Sequence, residues 1–426
     1  MAFDKFSDIT LFHKLPADRQ QWLRLISELY PFSFQQFKML TEYSADMLCW
    51  KAGSPEQFYR PDAVGQLKGK QAAGKIFQQF RDGYETLKNR QKRYADLDVF
   101  FTHEQTFPDD RIIEVKLQGN IMGRCPVASE KTRCCNLQTL DAVQQCGFDC
   151  SYCSIQSFYH GNTVRFIGDL MSHLDTLELD PEKKYHIGTG QSSDSLMWGN
   201  RFGLLDSLCR FASDHPNVIL EMKSKSSRID YFLKNKPPAN MVFTWSLNSQ
   251  TVIDHEEKET ASLAKRLESA RMMADLGSPV GFHFHPMVWY EGCLKDYRAL
   301  ALRLTDSFQP EEVVMVSLGT LTFIKPVLKR IRERMPDSSV LQMPMEDCAG
   351  KLSYPFEIKK ELFSALYDAF PDSWKDSVFF YMCMEQIDLW QPVFGRSYDS
   401  NARFEEDMLN TYQKKIYRLS CSGLKS

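Results

Sequence analysis

Hydrophobic residues recur at helical spacing through roughly the first 95 positions of the chain. "PADRQQWLRLISELY" and "FQQFKMLTEYSADMLCW" each carry an apolar face, and in "GKIFQQFRDGYETLKNRQKR" the residues Ile76, Phe77, Phe80, Tyr84 and Leu87 form one stripe. From about residue 110 the period shortens, and "RIIEVKLQG" and "TRCCNLQTLDAV" read as strands. Apolar runs and amphipathic helices then alternate. "KKYHIGTG" precedes "RFGLLDSLCRFASDH", "NVILEMKS" precedes "RIDYFLKN", and "MVFTWSLN" precedes "LAKRLESARMMADLG". "PVGFHFHP" is followed by "LKDYRALALRLTDSF", and "VVMVSLGT" by "TFIKPVLKRIRERM". This pattern predicts an α/β fold with parallel strands and helices packed outside, as a barrel or an open doubly wound sheet. Roughly six units are visible, fewer than the eight of a closed barrel. The expected organisation is a helical region over 1–95, a strand–helix domain over 96–340 and a mixed C-terminal segment over 341–426.

Composition narrows the class. The chain has 426 residues, 43% hydrophobic and 25% charged, with a formal net charge of -3. It therefore has no overall pull toward nucleic acid or membrane, and any such contact must be local. The strongest local excess is Lys68 to Arg93, read as a solvated helix face or a phosphate-facing patch. Lys325, Lys329, Arg330, Arg332 and Arg334 share one helix and are expected to form an exposed outer face. The N-terminus lacks a basic leader followed by an apolar run, and no stretch approaches the roughly 18 apolar residues of a membrane span. A cytoplasmic protein is expected, in which the 12 cysteines are reduced.

Three of those cysteines crowd into "CGFDCSYC", with Tyr152 against the last. Iron–sulfur clusters take one thiolate per iron, so Cys146, Cys150 and Cys153 suit three irons of a four-iron cube and leave one iron open. The alternative from the same residues is a zinc site completed by His160, in a structural or binding module. Unrelated buried thiols are a third alternative, against which the repeated strand–helix context counts. Cys134 and Cys135, with Cys125, hint at an auxiliary cluster, although an adjacent pair on a strand points to opposite faces. His283 and His285 alternate with Phe282 and Phe284, so on a strand both imidazoles face one way, where they could act on a substrate.

C-x3-C-x2-C with an aromatic before the third cysteine resembles the signature of the radical S-adenosylmethionine enzymes. The wider pattern resembles the spore photoproduct lyase family within them. "CGFDCSYCSIQ", "SSDS", "LEMKS", "FTWSLNS", "KRLESARMMADLGSPVGF", "HPMVWYEG" and "FIKPVLKRIRERMP" carry the likeness over roughly residues 140 to 355. The resemblance implies a partial (β/α)6 TIM-like barrel, a [4Fe-4S] cluster and S-adenosylmethionine as cofactors. It also implies reductive cleavage to a 5′-deoxyadenosyl radical, a flavodoxin or ferredoxin as reductant, and a thymine-dimer lesion in DNA as the type of substrate. Position by position, Cys146, Cys150 and Cys153 would ligate the cluster and Tyr152 would lie against the adenine. Ser193 and Asp194 would hold the methionine end, Lys223 would pair with its carboxylate, and Ser246 and Asn248 would bond the ribose.

Two positions depart from the family. Gln191 stands where the family has a hydrogen-donating cysteine, and Ser154 where it has a tyrosine. Cys348 in "MEDCAGKLSYP" is the candidate replacement donor. A protein, RNA or small-molecule substrate for the same radical chemistry is the reading these departures favour.

Overall fold

The computed structural model describes residues 2–97, 111–125, 132–156, 163–334, 337–348 and 350–422. Its strands, in chain order, are β1 (Ile112–Val115), β2 (Met122–Arg124), β3 (Gln138–Leu140), β4 (Val143–Gln144), β5 (Val164–Ile167), β6 (Tyr185–Gly188) and β7 (Val218–Ser224). They continue with β8 (Met241–Ser246), β9 (Val280–Met287), β10 (Val313–Thr320), β11 (Thr322–Phe323), β12 (Glu346–Cys348), β13 (Lys351–Ser353) and β14 (Phe379–Met382).

Eight of them make one sheet in the order β14-β10-β9-β8-β7-β6-β3-β2. Every neighbouring pair from β3 to β14 is parallel, and only β2 runs antiparallel to β3. Helices such as Leu204–Asp214, Leu263–Asp275 and Cys293–Ser307 cross between the strands, as the alternation predicts. The edges β14 and β2 do not pair, so the barrel is partial. Residues from both edges nonetheless line one cavity, which requires the sheet to curl. Burial on both faces explains the apolar runs: of β7 only Lys223 is not fully buried, and β8 and β10 are buried throughout.

The C-terminal segment is part of this sheet. β14 pairs with β10 in the register Met315↔Phe379, adding a parallel strand beyond the boundary expected at residue 340. β11, β12 and β13 form a separate small antiparallel sheet.

The N-terminal helices Ala17–Leu29, Phe34–Cys49 and Gly69–Lys88 pack through the predicted stripe, with Ile76, Phe77, Phe80 and Tyr84 buried. Tyr84 stacks on Tyr43 with ring centroids 4.0 Å apart. Polar bonds fasten this region to the barrel. Arg332 donates to both carboxylate oxygens of Asp46 at 2.9 and 2.8 Å, and the buried Lys92 donates to the carbonyls of Ser339 and Val340. The expected outer basic face on Lys325–Arg334 is thereby corrected. Lys325 and Lys329 are exposed, but Arg332 and Arg334 turn inward to Asp46 and Asp149. Among the described residues, no helix is long and apolar enough to cross a membrane.

Candidate active site

At the C-terminal ends of the parallel strands lies a cavity of about 250 Å³. Cys146, Cys150, Cys153, Tyr152, Ser193, Asp194, Lys223, Ser246, His283 and His285 all line it. Segments separated by more than a hundred positions therefore converge as the sequence motifs require. Asn248 and Cys348 are not among the lining residues. Asn248 is spent inside the fold: it donates to the Pro286 carbonyl at 2.8 Å and accepts from the Tyr297 hydroxyl at 2.9 Å. Cys348 sits in the β12–β13 hairpin, its Sγ 3.8 Å from the Tyr354 carbonyl, because antiparallel pairing draws it into the small sheet. The structure thus does not bring Cys348, the expected replacement for the family's hydrogen donor, to the cavity lining.

The thiol loop is held from several sides. The Ser151 amide donates to the Glu256 carbonyl at 2.9 Å, and its hydroxyl donates to the Glu256 carboxylate. Glu256 also accepts from Tyr94 at 2.9 Å and Ser338 at 2.5 Å, joining the loop to the N-terminal region and to the segment after the basic helix. Asp149, at φ 47°, accepts from Arg334 at 2.7 Å.

Tyr152 donates to Glu257, which also pairs with Arg266 and Lys225. Lys225 reaches the Tyr152 oxygen at 2.6 Å and lies 3.9 Å from the Cys150 sulfur. Burial alone would push the Glu257 carboxyl up, but Arg266 and Lys225 bring it down to about 2. None of these ions stands out in the sequence. "DHEEKET" and "AKRLES" read as solvent-facing charge, and only the fold shows that Glu257 and Arg266 are fully buried.

Ser193 and Asp194 line the cavity while bonding the fold. Asp194 accepts from the Lys225, Leu196 and Met197 amides and the Ser224 hydroxyl, all within 2.7 to 3.0 Å. Ser193 donates to the Gln145 carbonyl and accepts from the Trp198 indole. Both clamp the loop after β6 onto β7 and the thiol loop. Gly190 makes the same approach possible, since a Cβ there would lie 2.6 Å from the Lys223 carbonyl oxygen.

Alternation on β7 puts Glu221 and Lys223 on one face. Glu221 accepts from His186 at 2.8 Å, His283 at 2.6 Å and Thr244 at 2.7 Å. Burial raises its carboxyl, yet the two imidazoles hold it well below the ordinary range. Burial first, then the Lys223 cation, lowers His283 to about 4, and the same causes lower His285 well below its usual value. Both imidazoles are therefore neutral at pH 7, available as hydrogen-bonding groups. His283 Nδ1 is buried without a hydrogen-bond partner among the described residues. Lys223, half-buried at the cavity, has no ion-pair partner among the described residues, unlike Lys225. Ser154 and Gln191 line the same cavity.

The donor set fits a thiolate-bound cluster with an anionic small molecule beside it. Three cysteines, a lysine with no ion-pair partner among the described residues and a buried histidine line a space far larger than the roughly 30 Å³ of one water molecule. The zinc alternative needs His160, which lies outside the described residues.

The family model of spore photoproduct lyase matches residues 146–373. The chain is 31% identical to the spore photoproduct lyase of Bacillus subtilis over 124 residues, covering 28% of this chain and 36% of that protein. It is 23% identical to that of Clostridium acetobutylicum over 222 residues, covering 50% and 64%. These matches thus span less than two thirds of each relative's length. A solved spore photoproduct lyase complexed with dinucleoside spore photoproduct superposes with a TM-score of 0.51 at 20% identity, over 57% of this chain and 76% of that one. A cysteine-to-alanine mutant with the same dinucleoside gives 0.53 at 18% identity, over 64% and 82%. The family match covers more than half of the chain and begins at the first cysteine of the thiol loop, and the fold agrees: the chain belongs to the spore photoproduct lyase family.

Proposed function

We propose that this protein is a radical S-adenosylmethionine enzyme of the spore photoproduct lyase type, acting on a pyrimidine-derived lesion in nucleic acid. The observation that carries the reading is the convergence of the three loop cysteines, Tyr152 and Lys223, which has no ion-pair partner among the described residues, on one cavity at the strand ends. Cys146, Cys150 and Cys153 would hold a [4Fe-4S] cluster with S-adenosylmethionine at its open iron. When bound, the pair supplies reductive carbon–sulfur cleavage and hydrogen abstraction, with a flavodoxin or ferredoxin as electron source.

The protein's part is to bind, orient and exclude water. Lys223 offers a cation to the cofactor's carboxylate. Tyr152, fixed by Glu257 and Lys225, offers its ring to the adenine. Ser246 offers a hydroxyl at the end of β8. His283 and His285, neutral and buried, accept or donate hydrogen bonds without adding charge where a radical must survive.

A second reading keeps this chemistry and changes the substrate to a protein, RNA or small molecule. Gln191 at the cavity favours it, because an amide has no weak S–H bond to give. The test is anaerobic reconstitution with reductant, S-adenosylmethionine and an oligonucleotide carrying the dinucleoside lesion. Lesion-stimulated 5′-deoxyadenosine, with deuterium arriving from the labelled substrate, supports the lesion reading. Unstimulated cleavage together with no DNA binding at low salt transfers support to the second.

A further inference from the structure

Beyond the thiol loop, three more cysteines line the same cavity: Cys125, Cys135 and Cys383, with Cys134 next to Cys135. They come from the two ends of the sheet. Cys125 directly follows β2, Cys134 and Cys135 lead into β3, and Cys383 directly follows β14. Curling of the sheet brings these edges to one seam. Cys134 and Cys135 lie outside any strand, so the objection that neighbours on a strand face opposite ways does not apply.

The backbone here is fixed from outside. Arg133 donates to the carbonyls of Tyr398 and Asp399 at 2.6 and 2.7 Å, the Cys134 amide donates to Asn401 at 3.2 Å, and Asn136 donates to Glu405 at 2.6 Å. Cys383 is held by its amide on the Leu318 carbonyl at 2.8 Å. The start of the C-terminal helix thus clamps the segment that presents two of the thiols.

The thiols also sense one another. The Cys134 and Cys135 thiols share a hydrogen bond. Cys125 and Cys134 both lie within Coulombic reach of Cys383. One buried cysteine is an ordinary small apolar residue. Three at one cavity from three separate segments, with a fourth adjoining one of them, are a soft-metal donor set. Among the described residues no three such side chains converge on one ion position, and this holds equally for Cys146, Cys150 and Cys153. Spread thiolates suit a cluster with one per iron, whereas zinc needs all four within about 2.3 Å of one point.

We propose that Cys125, Cys134, Cys135 and Cys383 ligate a second iron–sulfur cluster at the seam between the two edges of the sheet, facing the cavity. This stands apart from the radical reading. The full chain is reconstituted anaerobically with iron and sulfide, beside a Cys146→Ala/Cys150→Ala/Cys153→Ala variant and a Cys134→Ser/Cys383→Ser variant. Iron, zinc and acid-labile sulfide are counted per chain and electron paramagnetic resonance spectra recorded. The expected result is about half of the wild-type iron and sulfide in each variant, with different spectra. If the triple substitution removes all the iron, the proposal is overturned and the radical reading stands. If the Cys134/Cys383 pair removes it all, the radical reading falls and the second site stands. Zinc in place of iron in the triple variant also overturns the proposal. Should the triple variant fail to fold, the serine pair decides alone, and unchanged iron there counts against the site.

Discussion

Two lysines two residues apart mark a contrast between the two sides of the cavity. Lys225 faces the thiol loop and is tied to Tyr152 and Glu257, in a cluster where Arg266 completes the charge balance. Lys223 faces the barrel interior, lowers the imidazoles of His283 and His285, and has no ion-pair partner among the described residues. The first region is electrostatically complete and serves as scaffold. The second holds a cation with no ion pair among the described residues, a place where an anionic group can dock. A site is recognisable here by what the fold leaves unsatisfied as well as by its motif.

The contrast is broken most directly through Glu257. Glu257→Gln leaves Arg266 and Lys225 buried together without their anion, and removing one partner of such a set costs about 3–5 kcal/mol. Urea unfolding of the cluster-free chain should show that loss. A loss below about 1 kcal/mol would mean that water already screens these ions, and the scaffold side would be no more complete than the other.

What the sequence reveals follows the same division. The thiol loop is legible because its three cysteines fit within eight residues, so their spacing is a local property. The parallel strands are legible because burial on both faces forces unbroken apolar runs, as in "VILEM" and "VVMVSL". Glu256, Glu257 and Arg266 are hidden, since a buried ion and a solvated one are the same letter until packing is known. β14 was expected in a separate mixed segment because nothing in "VFFYMC" specifies which strand it pairs with. The thiols of Cys125, Cys135 and Cys383 meet only through the curl of the sheet, a long-range property. Asn248 shows the reverse: its motif matches the family, yet Pro286, Ser249 and Tyr297 take up its side chain.

Lys223→Met sharpens the comparison with a smaller effect. No native ion pair among the described residues is broken, so stability should stay within about 0.5 kcal/mol of wild type. Affinity of the reconstituted protein for S-adenosylmethionine should fall roughly tenfold to hundredfold, the worth of one charge-assisted hydrogen bond of about 1.5–3 kcal/mol. Equilibrium dialysis reads the affinity and urea unfolding the stability. Unchanged affinity with a destabilised chain would make Lys223 scaffold and erase the distinction from Lys225.

A further effect concerns acid. His283 is lowered to about 4 in the folded chain, first by burial and then by Lys223, against an ordinary 6.5 when unfolded. At pH 7 both forms are neutral and the group contributes nothing. Below about 6.5 the unfolded imidazole takes up a proton that the folded one refuses. Stability should therefore fall by up to about 1.4 kcal/mol per pH unit until roughly pH 4, where the folded form also protonates. His285 is lowered by the same causes and adds in the same direction. Glu221, held down by its imidazoles despite burial, adds a further loss only once the pH drops below the usual carboxylate value near 4.5. Urea unfolding between pH 7 and 5 checks the slope, and His283→Gln should flatten it. Lys223→Met should flatten it as well, because the imidazoles would no longer face a cation. A slope indifferent to that substitution would mean that Lys223 does not act on the barrel interior, and the two lysines would have to be distinguished on other grounds.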